Sequence, residues 1–161
     1  MAIALQAVLD RLAAIEIEAL AGMTPAVTAD AKAFMLHTQE AFPYFVHRVG
    51  NLNIDYDSHD FDTYEVEVTA RLVVGHMTEG YHGQPESVLY SYIPVVIEAI
   101  NARELLQSAA YPTALDGLVG ARVSGSSGMR VYESAGIQPR QVGTEFTVVC
   151  EFLDDLTQRY R

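Results

Sequence analysis

Between residues 63 and 74 apolar and polar side chains alternate almost without a break. Tyr64, Val66, Val68, Ala70, Leu72 and Val74 fall on one side of an extended chain. Thr63, Glu65, Glu67, Thr69 and Arg71 fall on the other, and Val73 closes that row. A period of two with one apolar and one charged face predicts a half-exposed antiparallel strand. The alternation returns at 142–153, where Phe146, Val148, Cys150 and Phe152 interleave with Glu145, Thr147, Val149, Glu151 and Leu153. Residues 42–49 predict another strand from Phe42, Tyr44, Phe45 and Val46, with Pro43 suited to its first position or to an edge. Segments 118–123 and 129–132 look like strand too. Ser124-Gly125-Ser126-Ser127-Gly128 between them reads as a hairpin loop or a flexible tip.

Spacings of three and four mark two helices. Over 3–20, Leu5, Val8, Leu9, Leu12 and Ile15 share a face, while Gln6, Asp10, Arg11 and Glu18 lie largely off it. Gly22 suits a C-terminal cap and Pro25 blocks continuation. Over about 85–102, Val88, Leu89, Tyr92, Val95, Val96, Ala99 and Ile100 form an apolar face, and Pro94 predicts an internal kink. Residues 23–41 read as extended or irregular, 51–60 as a polar connection, and Gly75–Gly83 as a loop carrying His76 and His82. The order helix, strand, long strand, helix, strand, strand predicts one α+β domain over 1–161, a mainly antiparallel sheet with helices packed on one face.

At 161 residues the chain is long enough to bury a real core without staples. Apolar residues make up 50% and charged residues 19%, which excludes a disordered class. The single cysteine, Cys150, excludes a disulfide scaffold or a zinc ribbon and reads as a small buried side chain. The net charge is −11 and the basic residues are scattered, apart from Arg159 and Arg161, so tight binding to a nucleic-acid backbone is not expected. The opening residues, with no basic side chain before Arg11, predict neither a signal peptide nor a membrane span, and folding in a cytoplasm is expected.

Reactive constellations are not legible. The five histidines do not show the His-Glu-x-x-His spacing of a metal-binding helix. The run Asp55, Asp57, Asp60, Asp62 fails the calcium-loop pattern, because Asp60 stands where that loop needs glycine. It reads as a solvated turn. Gly117-Leu-Val-Gly120 and Gly125-Ser-Ser-Gly128 lack the Gly-Lys-Ser/Thr of a phosphate loop, and the serines are not set in a nucleophile elbow. No enzyme activity, cofactor or metal is therefore expected. The remaining ligand-site candidate is the Gly75–Gly83 loop with His76 and His82.

The opening helix Leu5-Gln-Ala-Val-Leu-Asp-Arg-Leu12 is followed by the strand start Ala41-Phe42-Pro43-Tyr44-Phe45-Val46. After them come the charged strand Asp62–Leu72, an aromatic-rich helix at 86–102 and a late strand ending Phe146-Thr-Val-Val-Cys-Glu-Phe152. In order, length and texture this resembles the tail terminator proteins of long-tailed, siphovirus-type bacteriophages. The resemblance implies a virion protein without enzymatic activity, assembled in the host cytoplasm. It implies a hexameric ring on the head-proximal end of the tail tube. That ring would end tube polymerisation, offer a surface to the head–tail connector or stopper protein, and let DNA pass through its lumen. Another neck or tail component is the nearest alternative, and a small-ligand or enzymatic domain a more distant one.

A cyclic ring uses head-to-tail contacts, so two different patches of one subunit must fit each other. The charged face of 63–73, with Glu65, Glu67 and Arg71, is one candidate patch, and Arg48 or Arg122 of a neighbour is its candidate counterpart. Alternatively Asp55, Asp57, Asp60, Asp62, Glu65 and Glu67 line a central channel whose negative charge repels passing phosphates.

Overall fold

The computed structural model describes residues 5–23, 28–30, 42–55, 61–77, 84–134 and 137–155. Along the chain these form α1 (Leu5–Leu20), β1 (Thr28–Asp30), β2 (Tyr44–Asp55), β3 (Phe61–Met77), α2 (Gln84–Asn101), β4 (Leu118–Ser126), β5 (Arg130–Ser134) and β6 (Ile137–Asp155). The architecture is α+β, as the alternation of strand and helix patterns predicts.

The sheet runs in the order β1-β2-β3-β6-β4, with β5 also on β6. The short β1 pairs parallel with β2, and the other pairings are antiparallel. Its spine is the long ladder of β3 against β6, from Phe61 opposite Asp155 to Met77 opposite Arg140. Both strands alternate with period two, so directly opposed residues share a face: Val66 meets Cys150, Val68 meets Val148, Ala70 meets Phe146. These apolar partners, with Phe45 of β2 and Ala121 of β4, form the floor of the core. Val8, Leu12 and Ile15 of α1 and Leu89, Tyr92, Val96 and Ile100 of α2 close it from above. Both helices thus lie on one face of the sheet. Pro94 falls on the exposed side of α2, where a missing backbone donor is least costly, and the helix continues past it to Asn101.

Several segments differ from the sequence expectation. β2 does not stop near Val49 but runs to Asp55, so most of the expected polar connection at 51–60 is strand. A register shift between Val49 and Leu52 absorbs Gly50 and Asn51 as a bulge. β3 likewise runs through Gly75 and His76, which pair with Val142 and Gln141 rather than opening a loop. The serine-glycine stretch is neither hairpin loop nor tip. β4 and β5 lie end to end along the same edge of β6, and Ser124–Gly128 bridges them. Ser127 N–H donates to the Glu145 carbonyl at 2.8 Å, and Glu145 N–H donates to Ser127 Oγ at 3.0 Å. Gly128, at φ 66°, supplies the left-handed residue of this bulge.

The first helix buries more than its apolar stripe. Arg11, expected to lie off the core face, is buried and donates through Nη1 to the carbonyls of Leu106 (3.3 Å) and Thr113. Its guanidinium also lies 5.2 Å from the Tyr111 ring centroid. The connection 102–117 is thereby folded back over α1, and Leu106, at φ 50°, is held fully buried in the left-handed region. Glu18 of α1 takes part from outside, accepting from Arg103 at 2.6 Å and from Ala109 N–H at 3.0 Å. Glu16, five residues after Arg11, is also buried, 2.6 Å from His47 of β2. This contact, with no exposure on either side chain, fixes α1 against the sheet.

Gly143 of β6 lies where β3 bulges between Val73 and Gly75. A Cβ there would stand 2.1 Å from the Leu72 carbonyl oxygen, a backbone atom that cannot swing away. Gly143→Ala is therefore expected to destabilise the fold by about 3 kcal/mol or more. Chemical denaturation should show this as a lower midpoint with an unchanged slope.

Candidate assembly surface

The face of the sheet turned away from the helices is the surface on which the alternating charged residues stand. Neighbouring strands arrange them in cross-strand rows. Asn53, Glu65, Glu151 and Gly120 make one row, and Glu67, Val149 and Arg122 the next. Then follow Arg48, Thr69, Thr147 and Gly125, and after them Val46, Arg71 and Glu145.

The two ends of this face differ in chemistry. At one end Tyr44, Val46 and Val73 are buried in a small second apolar cluster with Phe42. The His76 ring stands edge-on to Phe42 with centroids 4.5 Å apart, and its buried Nδ1 has no hydrogen-bond partner among the described residues. Tyr44 donates its hydroxyl to Gln141 Oε1 at 3.1 Å. Arg71 borders the cluster. Its Nε and Nη2 donate to Glu145 Oε1 at 2.9 and 2.6 Å, and its guanidinium lies 4.0 Å over the Tyr132 ring. Burial, followed by the neighbouring Glu145 carboxylate, pushes the Tyr132 phenol up to about 12. Arg71 is thus engaged inside its own chain.

The other end is acidic. Glu65 lies directly opposite Glu151, with Glu67 one row on. Like charges in register on adjacent strands repel. Neutral donors stand beside two of them: Asn51 Nδ2 at 2.8 Å from Glu67 and Asn53 Nδ2 at 3.4 Å from Glu65. Arg122 of β4, its side chain 68% exposed, approaches Glu151 at 3.6 Å.

Not all predicted candidates join this face. Asp62 shares the side of β3 that carries Tyr64 and Val66, is 8% exposed, and stands in register with Asp154, itself 4% exposed. It belongs to neither a solvated turn nor the open face. Tyr64 donates its hydroxyl to Asp62 Oδ2 at 3.4 Å. Asp55 ends β2 opposite Thr63. Asp57, Asp60 and His82 lie outside the described residues. Arg48 stands on the open face opposite Thr69, exposed. Glu151 and Glu145, which complete the two charge groups, appear in the sequence only as polar positions of the last strand. Their partnership with β3 is a matter of register, which no local pattern displays.

Among the described residues no group of three or more His, Cys, Asp or Glu is placed to hold a metal ion, and no helix is long and apolar enough to cross a membrane. Cys150 is buried on the core side of β6, and burial pushes its thiol up to about 12. The reactive form is the thiolate. Alkylation of the native protein at neutral pH is expected to be slow, and denaturant should release it, which a thiol-reactive chromophore can follow. Replacing Glu65 with Gln should relieve the repulsion with Glu151 and raise stability by roughly 0.2–1 kcal/mol. The gain should shrink as salt is added, and thermal melts at two ionic strengths measure it. No protein-family profile and no curated protein matches this chain.

Proposed function

We propose that this chain is a structural subunit of a bacteriophage tail, forming a ring that caps the tail tube. The ring ends tube polymerisation and presents a joining surface to the head–tail connector. The resemblance in element order to tail terminator proteins motivates the reading. The observation that carries it is the division of the sheet. One face is consumed by the helices and the core, while the other is left open, charged at one end and closed by apolar contacts at the other. Such a face suits contact with other protein subunits better than chemistry on a small molecule, which calls for a concave, largely apolar cleft. In this role the subunit performs no catalysis and needs no cofactor. Its partners are sister copies, the tail tube protein and a connector or stopper protein.

Removal of the gene from its phage tests the reading. Particles without a terminator are expected to carry tails of abnormal length, visible by negative-stain electron microscopy. Tails of normal length that fail to attach to heads would instead assign the chain to a connector. Normal, infectious particles would refute a tail role altogether.

A further inference from the structure

The two long edges of the sheet are finished differently. Along β4 the register shifts twice, and Val123 N–H is taken by Asn101 Oδ1 at 2.8 Å. Bulges of this kind resist further strand pairing. The β2 edge is covered only in part. β1 pairs with Tyr44–Val46, and beyond Val46 no strand among the described residues pairs with that edge. Residues 50–54 are all exposed. One bulge, at Gly50 and Asn51, interrupts the stretch, and from Leu52 to Asp55 the pairing with Val66 to Thr63 is unbroken. Lysine and proline commonly guard a strand edge, and neither stands between Val49 and Asp55.

The two sides of this edge differ in chemistry. Leu52 and Ile54 share the side of Val66 and Tyr64, yet they are 48% and 42% exposed and take no part in the core beneath the helices. Asn51 and Asn53 stand on the open-face side, where their amides reach Glu67 and Glu65 of β3. From Val49 to Ala70 the chain has no lysine or arginine. Arg122 lies two strands beyond β3 and approaches Glu151.

We propose that the β2 edge at 50–55 receives an extended, basic segment of a different protein, paired as one more strand of the sheet. An edge strand turns a row of unpaired N–H and C=O groups outward. Main-chain hydrogen bonds hold such a guest, and its alternate side chains decide whether it fits. The period of two fixes their chemistry. On one side the guest sets apolar residues beside Leu52 and Ile54 and takes them out of water. On the other it sets lysines or arginines beside Asn51 and Asn53, where long side chains reach Glu65 and Glu67. Opposite charges on neighbouring strands attract and like charges repel, so a second copy of this edge, bringing its own acidic row, is a poor guest. The pairing goes beyond the capping role and does not depend on it.

The test titrates the full chain against a labelled peptide of alternating valine and lysine and follows fluorescence anisotropy. One control peptide has the same residues with the valines and lysines in separate blocks, and another alternates valine with glutamate. The wild type is expected to bind the first peptide about tenfold or more tightly than either control. Leu52→Lys with Ile54→Lys guards the edge and leaves Glu65 and Glu67 in place; it should weaken binding about tenfold or more. Glu65→Gln with Glu67→Gln should weaken binding and flatten its dependence on salt. Circular dichroism of each variant shows whether it is folded. Amide hydrogen exchange should show new protection within 51–55 when the first peptide binds. Equal binding of the block peptide overturns the proposal, as does protection that leaves 51–55 unchanged, since either result reports charge attraction without strand pairing. Absence of binding at every accessible concentration also overturns it. Self-association of the wild type that the lysine variant abolishes would assign the edge to a second copy and overturn the choice of guest.

Discussion

The antiparallel ladder between β3 and β6 holds the rest of the structure in place. It runs from Phe61 opposite Asp155 to Met77 opposite Arg140, and through the core its register sets Tyr64, Val66, Val68 and Ala70 opposite Phe152, Cys150, Val148 and Phe146. The side-chain period of a strand is two, so a slip by one residue would turn Glu65, Glu67 and Arg71 toward α1 and α2 and expose Val66, Val68 and Ala70. Burying three charges that way costs far more than the ladder could return. The helices, the outer strands and the open face all take their positions from this register. The tight approach of Gly143 to the Leu72 carbonyl marks where the register steps by one residue, at the bulge of β3.

One consequence is a face with two characters. Near Val73 the open side is finished inside the chain: Tyr44, Val46 and Phe42 cover it, and Arg71 is spent on Glu145 and Tyr132. Near Glu65 two carboxylates stand in register, with the Asn53 amide beside Glu65 and Arg122 at 3.6 Å from Glu151.

A second consequence concerns α1. Buried Arg11 and Glu16 work as ties: one draws the connection 102–117 over the helix by donating to two carbonyls, and the other meets His47 across the layer. Charged groups survive burial when such hydrogen bonds replace water. From periodicity these positions look like the edge of a solvated face, because the stripe of leucines and isoleucines is the stronger signal. Arg11 is covered by a segment 95 to 102 residues away in sequence and Glu16 meets His47, 31 residues on, both beyond the reach of any local pattern.

The sequence by itself determined the class of the fold, the two helices, the core faces of β3 and β6 and the separation of charged from apolar rows, because these follow from period and are read within one element. It also displayed the acidic stretch and the scattered arginines. Only the tertiary structure decided what opposes what. Register set Glu151 against Glu65 and Asp154 against Asp62, and it drew the serine-glycine stretch into a bulge along β6 instead of a loop. Long-range packing buried Arg11, Glu16 and His47. Pairing is a relation between distant segments, fixed by the sum of contacts along a whole strand, and no window of neighbouring residues contains it.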